Sequence, residues 1–182
     1  MKTSLVATVA IAAAAGLAPT PVSAQASASG LQADLIAQLD EARDKLTQLA
    51  EAIPQEKYSW RPGEGVRSVS EAFMHVVGAN YYFPSLAGVK APEGLSRDME
   101  TTVTDKAEVI AALKSSFEHL RTSLRSAKEA DLDQPAKMFE EDTTRRNVYM
   151  TAVVHAHEHL GQLIAYARTN NVVPPWSAAS GE

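Results

Sequence analysis

The chain has 182 residues, a formal charge of −5 at neutral pH and no cysteine, so a disulfide framework is excluded. A mildly acidic chain whose one adjacent basic pair is Arg145-Arg146 lacks the cationic track that nucleic acid or an anionic membrane would need.

The N-terminus has the pattern of a secretory signal peptide over residues 1–24. Lys2 precedes an uncharged run from Leu5 to Leu17, Pro19 and Pro21 break it, and Val22-Ser23-Ala24 offers small residues for cleavage. Ala26 and Ala28 are alternative cleavage points. The apolar run is short for a membrane helix, which needs about 20 residues, and a lipoprotein signal would need a cysteine. The expected location is therefore periplasmic or secreted, with no stable membrane span after cleavage. Losing Lys2 moves the formal charge from −5 to −6. The remaining length of about 155 residues suits one domain.

Residues 25–30 read as a linker. Ser29-x-x-Gln32 matches a capping box. It opens a helix whose apolar residues Leu31, Leu35, Leu39, Ala42, Leu46, Leu49 and Ile53 recur at three- and four-residue spacing as far as Pro54. Lys57–Arg67 is a loop broken by Pro62, Gly63 and Gly65, and Tyr58 and Trp60 should pack it onto the body.

A second capping box, Ser68-x-x-Glu71, opens a helix with Val69, Ala72, Phe73, Val76 and Val77 inward, expected to end near Tyr82 before Pro84. His75 lies within it. Residues 84–103 make a long connection of the kind that often covers a site.

A third helix starts near Thr104-Asp105 and buries Ile110, Leu113, Phe117, Leu120 and Leu124. Residues 129–142 are acidic and contain Pro135. The last helix runs from Thr143 or Thr144 to Thr169, with Val148, Ala152, His155, His159, Leu163 and Tyr166 on one broad face and Asn170-Asn171 to end it. Residues 171–182, with Pro174-Pro175, read as a flexible tail. Nothing alternates with period two for long enough to predict a strand. Residues 31–170 are therefore expected to form an all-α four-helix bundle with long crossover connections.

Three of the five histidines fall within His155-Ala156-His157-Glu158-His159. His155 and His159 are four apart and share a helix face. Burying two imidazoles on a core-facing stripe costs desolvation at both, and a shared metal removes that cost. His75 supplies a third candidate ligand from the second helix, though a lone core histidine is more often hydrogen-bonded to a carbonyl. His157 points about 200° around the helix from the other two. It should be a surface residue, as should His119, two residues past Phe117.

His155-x-x-Glu158-His159 also matches an inverted zinc-peptidase motif. That motif requires an acidic ligand from far downstream, and Glu182 is the only acidic residue after His159. Glu158 lies about 100° from the histidine face, which makes it a weak general base. Gln162 and Tyr166 lie near that face, within reach of a substrate or a metal-bound water. Trp60 and Tyr81 are read as packing residues near its mouth.

With these residues in place, the chain resembles the DinB/YfiT-like superfamily of small metal-binding four-helix bundles. Three segments between residues 31 and 170 carry the resemblance. They are Tyr58-Ser59-Trp60-Arg61-Pro62 with Gly65-Val66-Arg67-Ser68-Val69; Glu71 to Val77 with Asn80 and Tyr81; and His155-x-x-Glu158-His159-x-Gly161-Gln162-Leu163 with Tyr166 and Arg168. The resemblance implies an unusual helix order and a divalent metal, such as zinc or nickel, held by His75, His155 and His159. Some relatives carry Glu where this chain has His155.

The resemblance further implies a metal-dependent hydrolase or thiol-dependent transferase acting on a small molecule, and homodimers occur among relatives. Export weakens the thiol chemistry, because cytosolic thiol cofactors are scarce outside the cell. A non-catalytic metal-binding or sensing module, or a metal-free structural bundle, would use the same residues differently.

Overall fold

A computed structural model of the protein describes residues 30–180 apart from Arg97. The leader and Ser29 lie outside the described residues. The chain forms α1 (Leu31–Ala52), α2 (Val69–Leu86), a short α3 (Met99–Thr102), α4 (Lys106–Ser126), a short α5 (Glu129–Leu132), strands β1 (Pro135–Met138) and β2 (Glu141–Thr144), α6 (Arg145–Thr169) and α7 (Pro175–Ser180). The four long helices make the expected bundle. α1 and α2 sit at opposite corners, each flanked by α4 and α6. Two consecutive pairs, α1 with α2 and α4 with α6, are thus diagonal, so their connections have to cross the end of the bundle, whereas α2 and α4 are neighbours.

The apolar stripes read from the sequence form the core: Leu39, Leu46 and Leu49 from α1, Phe73 and Val76 from α2, Leu113, Phe117 and Leu120 from α4, and Ala152 and Leu163 from α6. On α4 the inward position is Val109, with Ile110 half-buried beside it. The loop before α2 is anchored by Tyr58, whose ring stacks on Phe73 and whose hydroxyl donates to the Ala50 carbonyl at 2.7 Å. Burial pushes that phenol well above its ordinary range.

The caps differ in how far they follow expectation. The Ser68 and Glu71 capping box is complete, and the Asp105 carboxylate accepts from the amides of Ala107 and Glu108 to open α4. α1 starts after Gly30, and the Ser29 half of its expected box lies outside the described residues. The Gln32 amide donates to the Leu124 and Ala127 carbonyls at the end of α4. Carbonyls at a helix end run short of intrahelical donors, and the Leu124 carbonyl otherwise takes only a long 3.3 Å bond from the Ala127 amide among the described residues.

Three further expectations are corrected. α2 runs through Pro84 to Leu86; a proline in the last turn forfeits one bond near the helix end, where the cost is small. Residues 135–144 form an antiparallel hairpin in which Met138 pairs with Glu141, leaving Phe139 and Glu140 as a two-residue turn. Both turn residues have positive φ, 53° and 67°, the pattern of a type I′ turn, which normally selects Asn-Gly. With neither residue type present and strands of four residues, the sequence carries no hairpin signature. Holding non-glycine residues there costs roughly 1–2 kcal/mol each. The C-terminal segment is not a loose tail throughout: α7 docks on α1, and Ser177 is buried.

No helix among the described residues is long and apolar enough to cross a membrane.

Candidate metal centre

α2 and α6 pack side by side, which brings His75 to the His155 and His159 pair. The three Nε2 atoms converge. His155 Nε2 lies 3.1 Å from His75 Nε2 and 3.2 Å from His159 Nε2. All three rings are half-buried.

The outer nitrogens decide what these inner atoms are. His75 Nδ1 is 3.0 Å from Glu100 Oε2. An ionised carboxylate only accepts, so Nδ1 carries the hydrogen and Nε2 keeps a bare lone pair. On the other side the inference runs backwards along a chain. The Tyr166 hydroxyl must donate to the Arg67 carbonyl at 3.2 Å, because a carbonyl only accepts. Its lone pair then accepts from Gln162 Nε2 at 2.8 Å, which turns Gln162 Oε1 toward His159 Nδ1 at 2.7 Å. His159 Nδ1 therefore carries the hydrogen, and its Nε2 is also bare.

Two lone pairs thus face His155 Nε2, which has at most one hydrogen to share between them. A divalent cation satisfies all three nitrogens. Spacings of 3.1 and 3.2 Å suit imidazoles sharing an ion at about 2.0–2.1 Å each. The donor set and its outer hydrogen bonds therefore fit a divalent transition metal.

The electrostatics agree. Burial, then the neighbouring His159 and His75, then the Arg67 guanidinium, push the His155 imidazole down to about 4. Burial likewise lowers His159, against the opposing Gln162 hydrogen bond. For Glu100, burial pulls upward, but the hydrogen bonds and charges of Arg67 and His75 outweigh it and leave the carboxyl below its ordinary range. The histidine pair on α6 is neutral at physiological pH, the form a metal needs.

A cavity of about 410 Å³ opens beside His75 and His155. Gly78, Ala79 and Phe83 line it, together with the more exposed Tyr82 and Phe139. Such a volume suits a small organic molecule.

Other residues resolve as follows. His157 faces away, with Nε2 3.2 Å from the Gln38 carbonyl. Glu158 is exposed beside a separate groove with Met150 and Val154. Gln162 and Tyr166 stand behind His159 rather than facing a substrate. Trp60 packs edge-on against Tyr166, as a packing residue should. Tyr81 packs on His119, which is half-buried rather than exposed and is lowered by burial.

Glu100 is the residue that helical spacing could not reveal. It sits on the four-residue α3 inside the long connection, and Arg67 holds it with Nε 2.7 Å from Oε1. The length of that connection was the one signal of its role.

Fold and site together define a four-helix bundle with a three-histidine centre on facing helices. The chain belongs to the DinB superfamily, whose sequence profile matches residues 38–163. Among solved structures it is similar to a DinB-like protein from Bacillus cereus ATCC 10987, with 18% identity, a TM-score of 0.69, and coverage of 78% of this chain and 93% of that one. A DinB-like protein from Bacillus subtilis, YjoA, shares 25% identity at a TM-score of 0.61 over 76% and 92% of the two chains. YfiT from Bacillus subtilis, described as a probable metal-dependent hydrolase with an unusual four-helix bundle topology, shares 16% identity at a TM-score of 0.63 over 86% and 94%. A search of curated proteins finds no match.

Proposed function

We propose that this is an exported metal-dependent hydrolase that binds zinc or nickel through His75, His155 and His159 and acts on a small organic molecule. The observation that carries the reading is the convergence of three Nε2 atoms, two of them held bare by acceptors on their outer nitrogens. A divalent ion held by three neutral imidazoles keeps its full charge, and so can polarise a carbonyl or ionise a water or thiol.

The protein's own residues orient the ligands. Glu100 fixes the His75 ring from the connection, and Gln162 and Tyr166 fix His159 from within α6. The cavity beside the histidines supports a substrate-binding role over a purely structural ion. The description of YfiT supports hydrolysis; the signal-like leader supports export and weighs against a cytosolic thiol cosubstrate.

Metal analysis of protein purified without a histidine tag tests the first step. About one equivalent of zinc or nickel is expected; less than about a tenth, with no uptake on addition, overturns the reading. Turnover of ester, amide and thiol–electrophile panels, before and after chelation, tests the reaction class. N-terminal sequencing of the protein recovered outside the cytoplasm tests export.

A further inference from the structure

Resting on the metal-site reading above, we propose that the substrate carries an uncharged apolar group, aromatic or branched alkyl. The hairpin tip holds this group against α2 beside the histidines, and Phe139 sets the preference for it.

Two independent features point this way. The first is the cavity. Gly78 and Ala79 follow His75 by three and four residues, so they lie on its face of α2. A glycine inside a helix is unfavourable, and packing does not demand one here: a Cβ at Gly78 would meet only Met99 Cε, at an ordinary 3.5 Å. Its smallness leaves space next to the metal ligand. Beyond the histidines, Glu100 is the one charged side chain among the described residues lining that space. Away from the metal ligands, an anionic substrate group would find no cationic side chain in the lining to pair with.

The second feature is the turn. Phe139 occupies a left-handed position at φ 53° and is 66% exposed, a place where asparagine or glycine would suit both the backbone and the solvent. Tyr82, 44% exposed, also lines the cavity and packs on the Phe139 ring, with centroids 6.4 Å apart and 32° between the planes. The two rings pack as a partly exposed aromatic pair in the lining of the cavity, and together they offer an apolar surface to a third apolar group.

The test uses the zinc-loaded full chain and calorimetric titration with acetohydroxamic, benzohydroxamic and 4-carboxybenzohydroxamic acids, which share one metal-binding group. Benzohydroxamate is expected to bind about tenfold tighter than acetohydroxamate, through burial of the ring. The 4-carboxy compound should lose that advantage. Phe139→Asn should bring the ratio to about threefold or less. Zinc uptake and acetohydroxamate affinity should stay unchanged, and Tm should rise because asparagine tolerates the left-handed turn. Glu140→Gly should also raise Tm yet leave the ratio intact, separating relief of the turn from loss of the ring.

A native ratio near one, a ratio indifferent to Phe139→Asn, or tighter binding of the carboxylate overturns the proposal. Failure to take up zinc overturns the metal reading instead. The pocket is then read on the metal-free chain by fluorine NMR of 4-fluorobenzyl alcohol. Its signal should broaden with the native protein, but not with Phe139→Asn; 4-fluorobenzoate should not broaden. A sharp alcohol signal with the native protein overturns the proposal.

Discussion

His75 and His159 face the same point but are held there by different means. His75 is fixed by a carboxylate, Glu100, carried on a four-residue helix in a long connection and anchored in turn by Arg67. His159 is fixed by a neutral chain, Gln162 and then Tyr166, that lies on its own helix one turn after another. The first arm donates charge to its imidazole and depends on how the connection closes over α2. The second is built within α6 and is anchored at its far end by the Arg67 carbonyl. Arg67 touches both, with its guanidinium on Glu100 and its carbonyl on Tyr166. The loop before α2 therefore sets the two supports at once, which gives the Gly65–Val69 segment a physical role.

The largest expected effect is loss of a ligand: His75→Ala should abolish stoichiometric zinc uptake, and unchanged affinity would remove His75 from the site. Next come the two arms. Outer partners of metal-bound histidines are typically worth about 10–100-fold in affinity. Glu100→Ala should fall near the upper end of that range, because a carboxylate raises ligand basicity as well as orienting the ring. Gln162→Ala should fall near the lower end. Competition with a chromophoric chelator measures both, and equal losses would erase the proposed difference between the arms.

Arg67→Ala removes the guanidinium but keeps the carbonyl, so its smaller loss should be largely absorbed in an Arg67→Ala/Glu100→Ala double variant. The same change should add to Gln162→Ala, because those residues belong to separate arms. Additivity in the first pair would show that Arg67 does not act through Glu100.

The intrinsic arm is also the legible one. His155, His159, Gln162 and Tyr166 follow one another at helical spacing, so period alone places them on one side of α6. His75 needed only a second amphipathic helix with a capping box. The connection-borne arm has no such signature. Nothing in the spacing of Glu100 relates it to His75, because the relation is made by the path of residues 87–98, where no repeating pattern acts. The hairpin was hidden for a similar reason: its turn carries Phe139 and Glu140 rather than Asn-Gly, and strands of four residues are too short to show alternation. His119 was misplaced because its partner, the Tyr81 ring, comes from another helix.

The smallest expected effect concerns the charge that Arg67 places near the centre. In the metal-free protein the His155 imidazole is held at about 4, below its ordinary 6.5, by burial first, then His159 and His75, and last Arg67. A depressed imidazole means that the unfolded chain binds the proton more readily between those two values. The contribution to metal-free stability is therefore complete above about pH 6.5 and is lost as the pH falls toward 4. Tm measured against pH on chelated protein should decline through that window. Arg67→Ala should raise the His155 midpoint, followed by imidazole proton NMR, only slightly, because burial is the leading cause and the Arg67 charge the weakest. A midpoint already near 6.5 in the native protein would mean that water reaches the imidazole freely. The convergence of nitrogens would then lose its cost, and with it the reason for a metal to be there.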